Sequence, residues 1–515
     1  MPVVTTELQL RDAITAAEPD ITVQNDITLS SAINIGYAVH IHSDNATATL
    51  LWGGTANKTM FTVLSGGALT LTGIRLDGAG QYHTLVGIDG GECLLNTGTV
   101  LTNTKSNSGS QAVRVGKMAD LSIGGTLTMR DSLITGIQLD AVISCNGGTV
   151  NLLGSAAIRD NSAYVIGATQ SIVNMGGQSR IHSNTAQRPG MGILATSGTV
   201  VNMGLQEGDA PEIYGNESTT SYAGAIYLVE STLNMAYGAA IYDNKAASLA
   251  GGIGLMNSAM HMSGQAEVRG NIAGSGGGGI FVSTDSVVTL DEDASVTGNR
   301  ILAANGLGGG IYAQNDAVVL LHGNALISAN EAYDGAGIYL KAGAGLTAGG
   351  DPSDMPSITE NAAVNRGGGL YIAEDGTASL SAGTSFSDNT AGGCGAGIYQ
   401  AGRLEISGDI TVADGLYYDK AETAAVITAP LSEDAAIQLE TSGHCHPDNI
   451  PVLLGKKGDA YGALTVTDQS CFYLPDCFPE NTAIYRNAEA TQIFAGLTLD
   501  ILAGIRISIR RIEHP

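Results

Sequence analysis

The sequence predicts an all-β fold, a single-stranded right-handed parallel β-helix (solenoid) in which each repeat is one turn. Three observations predict it. A two-part motif recurs with a period of about 28 residues between Ile158 and Tyr399. The apolar residues between motifs alternate with polar or small ones, which leaves no room for a helix within the repeat. Glycine supplies 71 of 515 residues, about twice its usual share of roughly 7%. Aromatics supply only 5%, and Trp52 is the sole tryptophan. The core is therefore expected to be long and thin, built of Ile, Val, Leu and Ala.

Residues 1–20 read as an N-terminal cap. Thr6 to Ala17 places Leu10, Ala13, Ile14 and Ala17 at helical spacing, with threonine at the N-cap position and Pro19 just beyond. That helix would cover the first open turn. Residues 21–420 read as the solenoid. Its first turns are irregular: Ile21 to Leu29, Val39 to Ile41, Phe61 to Leu76, then Leu121, Ile123 and Leu127.

From Ile158 the pattern is regular. An Ile-x-x-Asn unit, with Val268, Val296 and Phe386 in the Ile place of three repeats, ends at Asn161, Asn184, Asn216, Asn244, Asn271, Asn299, Asn330, Asn361 and Asn389. A Gly-Gly or Gly-Ala unit followed by Ile, or once Leu, and an aromatic ends at Tyr227, Phe281, Tyr312, Tyr339, Tyr371 and Tyr399. A third apolar pulse, such as Val318, Leu320 and Ala325, completes the repeat. The expectation is three strands per turn, each paired with its equivalent one turn on at about 4.8 Å. Residues 421–515 differ, with 6 of the 71 glycines but 6 of the 12 prolines and 3 of the 6 cysteines. They read as degraded last coils and a C-terminal cap, with strand patterns at Ile427, Ile437, Val452 and Leu464 and an alternating run at Ile505, Ile507 and Ile509.

In this arrangement the repeated Ile stacks inside and the repeated Asn stacks at a corner. An amide tolerates left-handed backbone and can donate and accept along a stack. Asn244, Asn271, Asn299, Asn330, Asn361 and Asn389 are thus expected to form a structural ladder. Glycine suits the opposite corner, where a Cβ would clash at positive φ.

The paired Gly-Gly-Ala/Gly-Ile and Ile/Phe-x-x-Asn units resemble the passenger repeats of the chlamydial polymorphic outer-membrane proteins, and of adhesin-like β-helix proteins on gut bacteria and archaea. The resemblance covers roughly residues 150–400. It implies a surface-displayed or secreted passenger, extracellular or on the cell surface, that contacts a host or neighbouring-cell ligand, with glycan a candidate class. No C-terminal membrane barrel, cell-wall sorting tail or signal peptide after Met1 is expected, which leaves the route of export open.

A formal net charge of −26 makes nucleic-acid partners a poor fit, because phosphate neutralisation needs basic patches. No apolar run approaches the 18 or so residues of a membrane span. Cys93, Cys145 and Cys394 lie in isolated turns and read as small core residues, whereas Cys471 and Cys477 flank a proline-containing loop and could bridge. His444, Cys445 and His446 invite a metal reading, but strand alternation would send Cys445 to the opposite face. No metal and no cofactor is expected, and the nine histidines look scattered through unrelated turns.

No catalytic residue stands out. Gly274, Gly276 and Gly279 match a dinucleotide fingerprint without the helix it requires. Asp291, Glu292 and Asp293 form the one dense acidic cluster, and alternation splits them between faces. The outward neighbour of each repeated Ile gives an aromatic stripe, Tyr227, Phe281, Tyr312, Tyr339, Tyr371 and Tyr399, interrupted at Gly254. Such a stripe could dock sugar rings, or simply shield the sheet. Two functions follow: a non-enzymatic adhesin-like binding protein carried by the stripe, and, as the alternative, a polysaccharide lyase, glycoside hydrolase or tailspike-type enzyme carried by the carboxylates.

Overall fold

The structure is a computed structural model. It describes residues 1–497 except 45–47, 56–57, 82, 106–110, 118, 139, 188, 221, 352, 421–422, 441–451, 477 and 480–481. The chain is 53% strand and 3% helix, and its strands pair in parallel as the turns of a β-solenoid, about 15 turns in number. Two compact units divide it, Met1–Met260 and His261–Pro515.

In the first unit a helix spans Glu7–Thr15, and the Thr6 side chain at its N-cap accepts a hydrogen bond from Gln9 N at 3.3 Å. Its apolar stripe buries Leu10 and Ala13. The solenoid then begins with Asp20–Val23, Ala38–His42 and Ala68–Thr72 paired in register. Leu121 and Ile123 do not continue a strand as expected but lie in a turn region, because the glycines at 124 and 125 delay the next strand to Thr126–Arg130. The regular turns present three faces. Thr149–Leu153, Ile172–Met175, Val200–Met203 and Thr232–Met235 stack on one. Ala157–Arg159, Arg180–His182, Glu212–Tyr214 and Ala240–Tyr242 stack on the second. Tyr164–Thr169, Ile193–Thr196 and Ile226–Val229 stack on the third. Period-two alternation points Val173, Ile181 and Ile193 inward, where each is fully buried.

The second unit repeats this plan. Val287–Leu290, Val318–Leu321, Gly345–Ala348, Thr377–Leu380 and Arg403–Gly408 form one face. Ile280–Ser283, Ile311–Ala313, Ile338–Leu340, Leu370–Ile372 and Ile398–Gln400 form another. Parallel order persists to Val452–Lys457. There Gln492–Leu497 pairs antiparallel with both Val452–Lys457 and Thr482–Arg486. Leu464 is not in a strand; it precedes a short helix, Val466–Ser470, whose Thr465 and Asp468 form a capping box. Ile505, Ile507 and Ile509 lie outside the described residues.

The expected three strands per turn are four in the regular turns. From Asn184 on, the backbone after each corner Asn keeps an extended stretch long enough to pair one turn on: Arg300–Ile301 with Ile272–Ala273 and Glu331–Asp334, and Glu331–Asp334 with Ala362–Arg366. Ala332, Ala336 and Ala363 pack beneath this extra ladder, with Ile301 and Ala391 against them. Small side chains close that space, and the sequence between each corner Asn and the next Gly-Gly or Gly-Ala unit is accordingly rich in alanine and glycine.

The left-handed residue at each corner is not the Asn but the residue before it. Asp160, Ser183, Asp243, Ala329, Glu360 and Asp388 all have φ between +52° and +59°, and Gly298 stands at +63°. That residue makes the bend and aims the following Asn inward, where Asn299, Asn330 and Asn361 are wholly buried.

Candidate functional site

The corner amides run as hydrogen-bonded ladders. In the first unit Asn161 Nδ2 donates to Asn184 Oδ1, Asn184 to Asn216 and Asn216 to Asn244, at 2.8 to 2.9 Å. In the second, Asn271 donates to Asn299, Asn299 to Asn330, Asn330 to Asn361 and Asn361 to Asn389, at 2.9 to 3.1 Å. Each acceptor oxygen also takes the backbone N–H of the previous Asn, as Asn330 Oδ1 takes Asn299 N at 2.9 Å. The ladder therefore satisfies corner donors that no sheet reaches. Its role is structural.

The aromatic column of the second unit stacks continuously. Phe281 and Tyr312, then Tyr312 and Tyr339, meet edge to face at 5.4 and 5.5 Å. Tyr339, Tyr371 and Tyr399 stack at 4.5 and 4.6 Å, and Tyr417 extends the stack at 5.2 Å. Tyr417 is missing from the predicted stripe because Asp414-Gly415, not a Gly-Gly or Gly-Ala unit, precedes Leu416-Tyr417. The column is not an exposed ribbon: Phe281, Tyr312, Tyr339, Tyr371 and Tyr399 are only 4% to 8% exposed. Backbone covers them. A Cβ built on Gly308 would stand 2.6 Å from Tyr312 Cβ, and one on Gly395 2.8 Å from Tyr399 Cβ, at φ of +65° and +67°. Only glycine allows the loop to lie that close to the base of these side chains. The Arg366 guanidinium lies 5.4 Å from the Tyr371 ring centre and 4.9 Å from that of Tyr399, and donates to the Tyr399 hydroxyl at 3.2 Å. Burial, the largest cause, holds the Tyr312, Tyr339, Tyr371 and Tyr399 hydroxyls above their ordinary range.

Tyr227, in the first unit, is the member of the predicted stripe that stays half-buried, with exposed Tyr222 stacked on it at 6.3 Å. Gly254, the gap in the stripe, is occupied by the Tyr227 ring itself: a Cβ there would meet the ring at 2.9 Å.

A more accessible stack lies on the second face of the first unit. His182 and Tyr214 stack at 4.7 Å, with planes 2° apart, and Tyr214 and Tyr242 at 4.8 Å, with planes 5° apart; all three are half-buried. Arg180 and Glu212 pair beside them at 2.8 Å, and the Tyr242 hydroxyl donates to Glu212 at 3.1 Å. The signal was present in the sequence. The outward residue after the repeated Ile is His in Ile181-His182, and Tyr in Ile213-Tyr214 and Ile241-Tyr242.

The acidic triplet does not converge. Asp291 Oδ1 accepts from Glu292 N at 2.8 Å, Glu292 Oε2 from Gly264 N at 2.6 Å, and Asp293 Oδ1 from Asn324 Nδ2 at 2.9 Å. These carboxylates brace turns. In a polar groove of the first unit Asp89 is held by Arg114 at 2.5 Å and Lys117 at 3.5 Å.

Cys93 and Cys145 are buried free thiols, and burial pushes Cys93 up to about 12. Cys471 is also a free thiol here, donating to Thr467 O at 3.1 Å. Cys477 and the His444-Cys445-His446 run lie outside the described residues. The histidines are not all scattered: the register pairs Asp20 with His40 and Thr22 with His42 across adjacent strands. Among the described residues no helix is long and apolar enough to cross a membrane. Neither a protein-family model nor a curated protein matches the chain.

Proposed function

We propose that this chain is a non-enzymatic, adhesin-like β-solenoid of the cell exterior, of the kind carried by polymorphic outer-membrane passengers, which binds a host or neighbouring-cell ligand of the glycan class. The observation that carries the reading is the half-exposed His182, Tyr214 and Tyr242 stack. Its rings are fixed on paired strands, so they lose little freedom on binding. Their edges and hydroxyls, with Arg180 and Glu212 alongside, offer the mixture of apolar carbon and hydrogen-bonding groups that a sugar ring presents in turn. The buried column of the second unit serves this reading as scaffold rather than as contact surface. The braced carboxylates of Asp291, Glu292 and Asp293 favour it over the saccharide-processing alternative.

The test is a glycan array and a cell-binding assay with the full chain. Tyr214→Ala with Tyr242→Ala should abolish binding at unchanged circular dichroism. Binding that survives this pair, but disappears together with saccharide cleavage in Asp291→Asn with Asp293→Asn, would give the alternative the case.

A further inference from the structure

We propose that Asp20, His40 and His42 form a binding site for a divalent transition metal of the zinc class. Asp20 opens the strand Asp20–Val23, and His40 and His42 close the neighbouring strand Ala38–His42. The register sets Asp20 beside His40, and Ile21 beside Ile41. Ile21 and Ile41 point inward and are fully buried. Alternation therefore places Asp20, His40 and His42 together on the outward face, and their ligand atoms all lie within 4.8 Å of one another.

The distances suit an ion at the centre. His40 Nδ1 and His42 Nε2 each stand 3.2 Å from Asp20 Oδ1. Metal–ligand bonds of about 2.0 to 2.1 Å set at tetrahedral angles separate neighbouring ligand atoms by about 3.3 Å. Despite that proximity Asp20 Oδ1 is buried and has no hydrogen-bond partner. A cation held among the three side chains would satisfy this oxygen.

The far side of each ring is also held. His40 Nε2 lies 3.0 Å from Thr72 Oγ1, and His42 Nδ1 lies 3.1 Å from Asp44 Oδ1. Outer partners of this sort fix ring orientation and tautomer at metal sites. Thr22 Oγ1 stands 3.2 Å from His42 Nε2, a second oxygen at the edge of the site. Three protein ligands on a half-exposed face leave a fourth position for water or an outside donor. Two neutral imidazoles and one carboxylate suit zinc, cobalt or nickel better than calcium or magnesium.

The experiment uses the full chain, titrated with Zn²⁺ against a chromogenic chelator and with Co²⁺ by visible absorption. Because His444, Cys445 and His446 could bind metal independently, the background is His444→Gln with Cys445→Ser and His446→Gln. One ion per chain and an intense tetrahedral cobalt band are expected. His42→Gln or Asp20→Asn should abolish both. Asp44→Asn should keep the stoichiometry and weaken affinity by about 10- to 100-fold. Melting without metal serves as the fold control, and the outward ligands should leave it nearly unchanged. Absence of zinc binding in that background, or binding that His42→Gln and Asp20→Asn leave intact, overturns the site.

Discussion

Asn389 donates its side-chain amide to the carboxylate of Asp414 at 2.8 Å and its backbone N–H to the same oxygen at 2.9 Å. In the turns before it an Asn oxygen fills that place. At this end of the ladder the previous turn asks only for an acceptor. In the middle, Asn330 must also donate, to Asn361 Oδ1 at 2.9 Å and to Val296 O at 3.0 Å. The two positions should therefore respond unequally to the Asn/Asp exchange. Asp414→Asn should cost less than about 1 kcal/mol, whereas Asn330→Asp removes two donors and buries a charge, at about 3 kcal/mol or more. Equal losses in denaturant titration would remove the directional ladder from the account.

The corner bend can be tested apart from the amide it aims. Gly298 is left-handed, and a Cβ there would meet nothing nearer than Gly270 N at 3.9 Å. Gly298→Ala thus imposes backbone strain without a clash and should cost about 1 to 2 kcal/mol. Ala329 holds the same bend at φ +55° with a Cβ already in place. Ala329→Gly should raise stability by up to about 1 kcal/mol. Melting curves in which both substitutions move stability in the same direction would show that something other than φ controls the corner.

The fold was legible because its signals are local and repeated. Ile181, Ile213 and Ile241 name the inward row, and Asn184, Asn216 and Asn244 the corner. What the residues at 302–308 or 331–335 do was not legible, since small residues in a gap do not reveal that the backbone pairs there and then folds over Tyr312 and Tyr339. Alternation can say that a ring leaves the core. It cannot say that a glycine loop will cover it. The Asp20, His40 and His42 cluster escaped for a related reason: twenty residues separate Asp20 from His40 in the chain, and only the register of two irregular turns brings them together.

Burial of the aromatic column changes what mutations there should do. Tyr371 stacks on Tyr339 and Tyr399 and is 8% exposed. Tyr371→Ser should destabilise the second unit by about 3 kcal/mol, in the range of large-to-small core substitutions, and Tyr371→Phe by far less. Tyr312→Ser, Tyr339→Ser and Tyr371→Ser together should prevent that unit from folding stably. If the triple variant keeps the wild-type denaturation midpoint, the rings are a surface ornament after all and return as candidates for ligand contact.

His83 gives the first unit a pH dependence with a definite sign. Its ring is 1% exposed and lies 5.1 Å from the ring of Trp52, itself 1% exposed. Burial, the largest cause, holds the His83 pKa below its ordinary value of about 6.5. The folded chain therefore keeps the ring neutral at a pH where the unfolded chain already protonates it. In that window the unfolded state binds more protons, so stability rises with pH and is lost as pH falls through about 6.5 toward the lower folded value. His182, also lowered chiefly by burial, acts in the same direction. One such proton changes stability by at most about 1.4 kcal/mol per pH unit. Trp52, as the sole tryptophan, reports unfolding of this unit by fluorescence. Denaturant midpoints measured from about pH 8 down to about pH 5 should fall, and His83→Phe should flatten the fall, with His182→Phe, farther along the unit, flattening it further. A midpoint that climbs on acidification, or a slope that His83→Phe leaves untouched, would mean that burial does not lower the pKa of this ring in the fold.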